Sequence, residues 1–469
     1  MTDARPAADA VVDLTPPQAI HIVGIGGAGM SAIASVLASM GHRVSGSDLK
    51  ASKALDRLAD QGVRVAVGHR ADQLGDAEVV AVSTAIGPSN PEVVAAREQG
   101  LPVLRRSEVL AAITALRRTI SIAGTHGKTT TSSMLAVVLA EAGLDPSFII
   151  GGDVNQIGSG AVWSDGEWFV VEADESDGTF VELRTEVAVV TNVEADHHAH
   201  YGGFEPLREA FDRFVVGAGG LAVVGIDDVE GAALAGRHPV VTVGEVEGAG
   251  YRIVDLRREP RGTTFRLEHD GEDLGEIHLP VPGAHNARNA AVAAATALEV
   301  GAAFDAVAAA LARFGGVARR FEFRGAAAGV DFVDDYAHLP TEVAAALAAG
   351  RDTAPDRLVA VFQPHRYSRL AALAPEFGSS FGDADVLVVT DVYSAGETPI
   401  PGISGKAVVD AVLVADPTRS VAYLPRREDL VAYLVGRLRP GDLCLTLGAG
   451  DLTTLPDELQ AALAARPGP

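Results

Sequence analysis

The sequence predicts an α/β protein of three domains, spanning 1–117, 118–315 and 316–469. Two glycine-rich turns, at Gly24–Gly29 and Gly124–Thr129, each lie between an apolar strand-like run and a helix-like run. From Gly316 onward, short apolar runs again alternate with helical segments. A chain of 469 residues is also too long for a single core.

The first domain reads as Rossmann-like. Strands are predicted at "IHIVGI", "RVSGSD", "VRVAVG" and "VVAVSTA", with a helix over Ser31–Met40, which is the rhythm of a parallel sheet. Gly24, Gly26 and Gly29 satisfy G-x-G-x-x-G, and Asp48 follows near the distance at which an acidic residue holds a ribose. Taken alone, this segment fits a nicotinamide dehydrogenase as well as any other user of a pyrophosphate.

The central domain opens with the strand "RTISIAG", then "SIAGTHGKTTTS" and a helix over Thr129–Ala142. Gly127-Lys128-Thr129 is the end of a phosphate-binding loop, although Ile122 stands where the strict pattern has its first glycine. In such a loop backbone N–H groups face the phosphates, the lysine reaches the β/γ oxygens and the threonine hydroxyl meets magnesium. Lys128 is expected on the open lining of that loop rather than in a core. The strands "EWFVVEAD" and "EVAVVTN" follow. Glu172, Asp174, Glu175 and Asp177 crowd one strand end, where they either hold a hard cation or form a solvated acidic loop. "TNVEADHHAHY" adds Asn192, Glu194, Asp196 and three histidines that lack the helical H-x-x-x-H spacing of a zinc protease. From about 239 to 281 the runs "VVTVGEV", "YRIVDLRRE", "TTFRLEHD" and "LGEIHLPV" read as antiparallel β, before an alanine-rich helical region from His285.

The C-terminal domain reads as doubly wound α/β, with strands at "VDFVDDY", "RLVAVFQ", "ADVLVVTD", "SVAYLP" and "DLCLTLG". Arg366 and Arg369 are three apart, so on a helix they would share a face and clamp a carboxylate or phosphate.

Composition narrows the function. A net charge of −24 argues against nucleic acid or an anionic membrane surface as partner. The single cysteine, Cys444, sits in an apolar run and is expected to fill core. No basic n-region with a long apolar run opens the chain, and its most apolar helical stretch is broken by Glu299 and Asp305, so a cytoplasmic protein without membrane insertion is expected. Lysine occurs only at 50, 53, 128 and 406, leaving 38 − 4 = 34 arginines. A lysine kept at a chemical position is therefore telling.

The ordered set "GIGGAGM", "GTHGKTTT", "EADESD", "TNVEADH", "VPGAHNARNA", "RRFE", "DDYAH" through Pro340 to "TEV", "QPHRYSR" and "AGETPIPGISG" spans nearly the whole chain. It resembles the muropeptide (Mur) ligases, and among them the UDP-N-acetylmuramate–L-alanine ligases of the MurC family. The resemblance implies that the first glycine turn grips the uridine diphosphate of a sugar substrate and the second grips ATP. Both use the bare N–H groups of a helix N-terminus.

It further implies a reaction in which ATP activates the lactyl carboxylate of UDP-N-acetylmuramate as an acyl phosphate for attack by L-alanine. The sugar nucleotide would meet Gly24, Gly26, Gly27, Gly29, Met30, Asp48, His69, Ser83 and Thr84. ATP would meet Gly124, Thr125, His126, Gly127, Lys128, Thr129, Thr130, His285 and Asn289. Asn289 would pair with adenine, unless it and Asn286 merely cap the alanine-rich helix. Mg2+ would rest on Thr129 and Glu172, with His197 at a second ion or simply hydrogen-bonded in its loop. Tyr336, His338, Arg366 and Arg369 would surround the amino acid and the acyl phosphate. Lys128, His197, His338, Arg366 and Arg369 would carry the catalysis. Leu339 replaces the second histidine common in the family. Related enzymes carry a carbamylated lysine downstream of the metal-binding histidine, but no lysine lies between Lys128 and Lys406 here. A monomer or homodimer is expected. The nearest alternative is the recycling ligase that attaches a preformed tripeptide to the same sugar nucleotide. A dehydrogenase would leave the 120–200 region unexplained, and a non-catalytic nucleotide sensor would have no use for the lysine and carboxylates.

Overall fold

The computed structural model describes residues 12–176, 178–194 and 201–465. Three sheets follow one another along the chain. The first holds β1 (Ala19–Val23), β2 (Arg43–Asp48), β3 (Arg64–Val67), β4 (Val79–Val82) and β5 (Val103–Arg105), all parallel in the order β3-β2-β1-β4-β5. The order reverses beside β1, which puts the glycine turn at the switch point where such sheets bind ligands. The last strand was not predicted, being only three residues long.

The central sheet has ten strands. They are β6 (Arg118–Ala123), β7 (Ser147–Val154), β8 (Ser159–Val162), β9 (Trp168–Glu172), β10 (Val187–Val190), β11 (Leu221–Gly225), β12 (Val241–Gly244), β13 (Tyr251–Glu259), β14 (Gly262–His269) and β15 (Glu272–Leu279). Their order is β15-β14-β13-β12-β11-β10-β6-β9-β7-β8. One expectation needs correction: β12 runs parallel to both β11 and β13, and only β13–β14–β15 form the antiparallel arm. Both patterns read as short apolar runs between turns, and pairing direction leaves no local trace.

Strand β6 is buried on both faces from Thr119 to Ala123, and its polar side chains are paired, Thr119 with Thr114 O and Ser121 with the Thr185 hydroxyl. One face packs Ile120 and Ile122 with Met134, Leu135, Val138 and Leu139 of the helix Lys128–Glu141. The helix Ala284–Glu299 joins that layer. Its side chains from Ala287 to Ala297 are small enough to bury almost all of this stretch. Gly301 then separates it from the helix Phe304–Leu311.

The third sheet holds β16 (Glu322–Ala327), β17 (Val330–Asp335), β18 (Arg357–Phe362), β19 (Val386–Val389), β20 (Val421–Tyr423) and β21 (Asp442–Leu447). The order is β16-β17-β21-β18-β19-β20, parallel except for the β16–β17 hairpin at its edge. Cys444 lies buried in β21, as core filler. Among the described residues no helix is long and apolar enough to cross a membrane.

Candidate active site

Each glycine turn ends at a helix whose first N–H groups lack a side-chain cap: Ala28–Ser39 after Gly27, and Lys128–Glu141 after Gly127. Uncapped N–H groups carry partial positive charge and suit phosphate oxygens.

At the first turn Gly24 has φ +82, and a Cβ there would stand 2.8 Å from the Ser83 Cβ. Asp48 accepts the Gly26 N–H at 2.9 Å, and a Cβ on Gly26 would meet that carboxylate. Asp48 thus shapes the turn from the neighbouring strand. Met30 is buried in the core, so only its backbone can face a ligand. His69 is tied through Nδ1 to the Ser47 hydroxyl at 2.8 Å, and that hydroxyl donates to the buried Glu92. Ser83 accepts the Ala85 N–H, and Thr84 is exposed. Arg106, which sequence reasoning missed, points a guanidinium nitrogen to 3.1 Å from where a Gly29 Cβ would be.

The second turn is packed from three sides. A Cβ on Gly124 (φ +134) would overlap the Thr191 hydroxyl, and one on Gly127 (φ +78) would overlap Asn289 Oδ1. Thr125 Oγ1 accepts the Glu194 N–H at 2.8 Å, and Asn192 Oδ1 accepts that of His126 at 2.9 Å. Lys128 differs from expectation. Its side chain is only 14% exposed, and Nζ donates to Gly124 O at 2.6 Å and to the wholly buried Glu175 at 2.8 Å. Burial opposes its charge, but Glu175, Asp174 and Glu172 outweigh that and hold its pKa above the usual lysine range.

The acidic strand end divides its labour. Thr129 Oγ1 donates to Glu172 at 3.0 Å, while Glu172 also accepts the Gly151 N–H at 2.8 Å. A hydroxyl and a carboxylate meeting beside a phosphate loop are the oxygen donors a magnesium ion uses when phosphates and water complete its shell. These two residues fit the ion. Among the described residues no cluster of three His, Cys, Asp or Glu could hold a metal. His197, Asp196 and Asp177 lie outside the described residues.

The phosphate loop lines one of two cavities near the glycine turns. One, of about 420 Å3, is lined by His126, Gly127, Thr130, His285, Asn289 and Arg320 among others. The other, of about 430 Å3, runs from Gly29 and Arg106 to Glu172 and Asp174, joining the first domain to the central one. Both volumes suit small-molecule sites. His285 is held neutral by burial, its pKa lowered to about 4. Asn286 does not cap its helix: it donates back to Pro282 O at 2.8 Å, because Gly283 occupies the cap position.

From the C-terminal part, Arg320 reaches Thr129 Oγ1 at 3.3 Å and Glu342 reaches His126 at 3.1 Å. Asp335, buried and accepting the N–H groups of Phe321 and Ala337, has its pKa raised to about 6 by burial. Arg319 and Arg320 stack on Tyr336 at 4.7 and 4.9 Å, and the rings of His338 and His365 meet at 5.6 Å. Burial keeps both histidines neutral, His365 down to about 3. The arginine pair is corrected: Arg366 precedes the helix Tyr367–Leu373 with φ +69, so it shares no helical face with Arg369. Its N–H is taken by Tyr393 O, which turns the chain before the helix begins. Arg369 points instead to His365 Nδ1 at 3.2 Å. His338, Arg366 and Arg369 line neither cavity and form a neighbouring cluster, connected through Glu342. Glu342 was missed. Its place three residues after Leu339 and two after Pro340 marks a helix start but not a reach across domains.

A two-domain cleft of this kind, with two helix N-termini and a carboxylate–threonine pair between them, defines a nucleotide-dependent enzyme acting on a second phosphorylated substrate. The comparisons name its class. The model of the Mur ligase family catalytic domain matches residues 19–118, that of the Mur ligase middle domain 122–297, and that of the Mur ligase glutamate ligase domain 319–450. The chain is 47% identical over 457 residues to a UDP-N-acetylmuramate–L-alanine ligase of Agrobacterium fabrum, covering 94% of this chain and 97% of that one. The crystal structure of a UDP-N-acetylmuramate–alanine ligase, MurC, from Thermotoga maritima matches with a TM-score of 0.82 at 28% identity, over 96% and 99% of the two chains. A murein peptide ligase from Psychrobacter arcticus shares the fold, with a TM-score of 0.70 at 23% identity over 96% and 100%. The chain belongs to the Mur ligase family, within its UDP-N-acetylmuramate–L-alanine ligase group.

Proposed function

We propose that this enzyme joins L-alanine to the lactyl carboxylate of UDP-N-acetylmuramate with ATP, giving UDP-N-acetylmuramoyl-L-alanine, ADP and phosphate for peptidoglycan synthesis. The observation that carries the reading is a phosphate loop lining one cavity, with a second cavity running from the first glycine turn to Glu172, in a chain 47% identical over 94% of its length to an enzyme of that name. A hydride-transfer enzyme has no use for the second loop.

A carboxylate is a poor acyl donor, so one of its oxygens first attacks the γ-phosphorus and ADP leaves. The amine then attacks the acyl carbon, the new C–N bond forms, and the C–O bond to phosphate breaks. ATP sits with its base by Asn289 and His285 and its phosphates on Gly124, Thr125, His126, Gly127, Lys128, Thr129 and Thr130. Lys128 and Arg320 face the charge that grows on the transferring group. Thr129 and Glu172 would hold magnesium, with His197 at a second ion, and the metal would supply additional neutralisation of phosphate charge. Gly24, Gly26, Gly27 and Gly29, the Met30 backbone, Asp48, His69, Ser83 and Thr84 hold the uridine diphosphate, and Arg106 reinforces them.

His338 donates through Nδ1 to Tyr336 O at 2.9 Å, which leaves Nε2 as the acceptor for the amine's proton. Tyr336, Arg366 and Arg369 orient the amino acid. A monomer or a homodimer is part of the proposal, and the nucleotide substrates suit a cytoplasmic enzyme.

Incubation with ATP, magnesium and UDP-N-acetylmuramate, with either L-alanine or the tripeptide, followed by product mass, tests the reading. L-Alanine-dependent phosphate release is expected. Release with tripeptide alone transfers the protein to the recycling ligases, and stoichiometric NAD reduction with a hydroxy acid abolishes the proposal.

A further inference from the structure

His126 lies in the phosphate loop, yet both of its ring nitrogens face carboxylates. Nε2 is 3.1 Å from Glu194 Oε2, and Nδ1 is 3.1 Å from Glu342 Oε1, on the far side of the domain boundary. The Thr341 hydroxyl is 3.1 Å from both His126 Nε2 and Glu194 Oε2. A neutral imidazole would turn one lone pair toward a carboxylate, so this arrangement requires both nitrogens to donate and the ring to be cationic. The other Glu342 oxygen accepts the backbone N–H groups of His338 at 2.9 Å and Leu339 at 3.1 Å. A single carboxylate therefore connects the ATP loop to the segment that carries His338.

We propose that His126 is a positioning residue, whose clasp on Glu342 sets the His338 segment against the ATP loop during catalysis. The assignment rests on the ligase reading above but adds a role that phosphate binding does not require. A lysine here would offer a point charge without the planar two-ended reach, and an asparagine would span to one carboxylate only. Because the ring spans the boundary, its loss affects the relative placement of the two halves more than the hold on ATP.

A double-mutant cycle tests this, using His126→Asn, Glu342→Gln and their combination. It is run with whichever amine, L-alanine or tripeptide, supports turnover by the unaltered enzyme, so a wrong amine assignment leaves it intact. Each single variant should lower kcat about tenfold, as loss of a charge-assisted hydrogen bond warrants, while KM for ATP changes less than about threefold. The double variant should be no slower than the slower single one, since both break the same contact. Thermal melting of each variant identifies any that is simply misfolded, and Glu342→Gln, which keeps its shape and the two backbone bonds, serves where His126→Asn is. Losses that multiply to about a hundredfold, or an effect confined to KM for ATP, overturn the proposal. So does a Glu342→Gln enzyme as fast as the unaltered one.

Discussion

Lys128 carries two duties that conflict in one variant. In the proposed reaction it faces the site of phosphoryl transfer, and in the structure it neutralises Glu175, which has no exposed surface. Lys128→Met should cost at least ~100-fold in kcat, the usual loss when a preorganised charge at a reacting group is removed. It should also destabilise the protein by ~3–5 kcal/mol, because a buried carboxylate loses its cation. Adding Glu175→Gln should recover much of the melting temperature and none of the phosphate release. A Lys128→Met protein that melts like the unaltered one would contradict the pairing. The sequence carried the lysine plainly in its G-K-T context. It did not carry the burial, because Glu175 was one of four acids within six residues and nothing local distinguishes which of them turns inward.

Among the elements, the loop between β6 and the helix Lys128–Glu141 is the most constrained. Gly127→Ala would place a methyl group on a residue at φ +78 and within 2.3 Å of Asn289 Oδ1. The left-handed backbone alone costs ~1–2 kcal/mol, and Asn289 must also move. KM for ATP should rise tenfold or more, with a smaller fall in melting temperature, measured by initial rates and calorimetry. An unchanged KM would separate Asn289 from the nucleotide. Strands, glycine turns and the helix starts beside them were legible because each is signalled within a few residues by apolar period and punctuation. The direction of β12, the turn that excludes Arg366 from its helix, and the contact of His126 with Glu342 were not. The last joins residues 216 apart, and such contacts are made by tertiary packing alone.

Across the whole molecule, the contacts between the central and C-terminal parts include His126–Glu342, Arg320–Thr129 and the Ala318 N–H on Asp153 O. Glu194 and Glu342 raise the His126 pKa to about 9 against the opposing effect of burial. Arg288 on the alanine-rich helix and Arg320 on the C-terminal side are the positive groups nearby, while His285 and His338, which also face this contact, are held neutral by burial. Because the folded value lies above the free value of 6.5, the stabilisation is complete below about pH 6.5 and is lost as pH rises through about 9. Small-angle scattering of the free protein should show a larger radius of gyration at about pH 10 than at pH 7. His126→Asn should be expanded already at pH 7, and equal radii in all three samples would remove this contact from the control of closure. The distribution of amines has a practical consequence for covalent labelling. Lys50, Lys53 and Lys406 are exposed, and Lys128 is the one lysine largely withdrawn from solvent, seated in the phosphate loop. An adenine nucleotide bearing a transferable acyl group on its terminal phosphate therefore meets a single lysine amine, and digestion should yield one tagged lysine peptide that excess ATP erases. A plain amine-reactive ester should tag the other three and spare it.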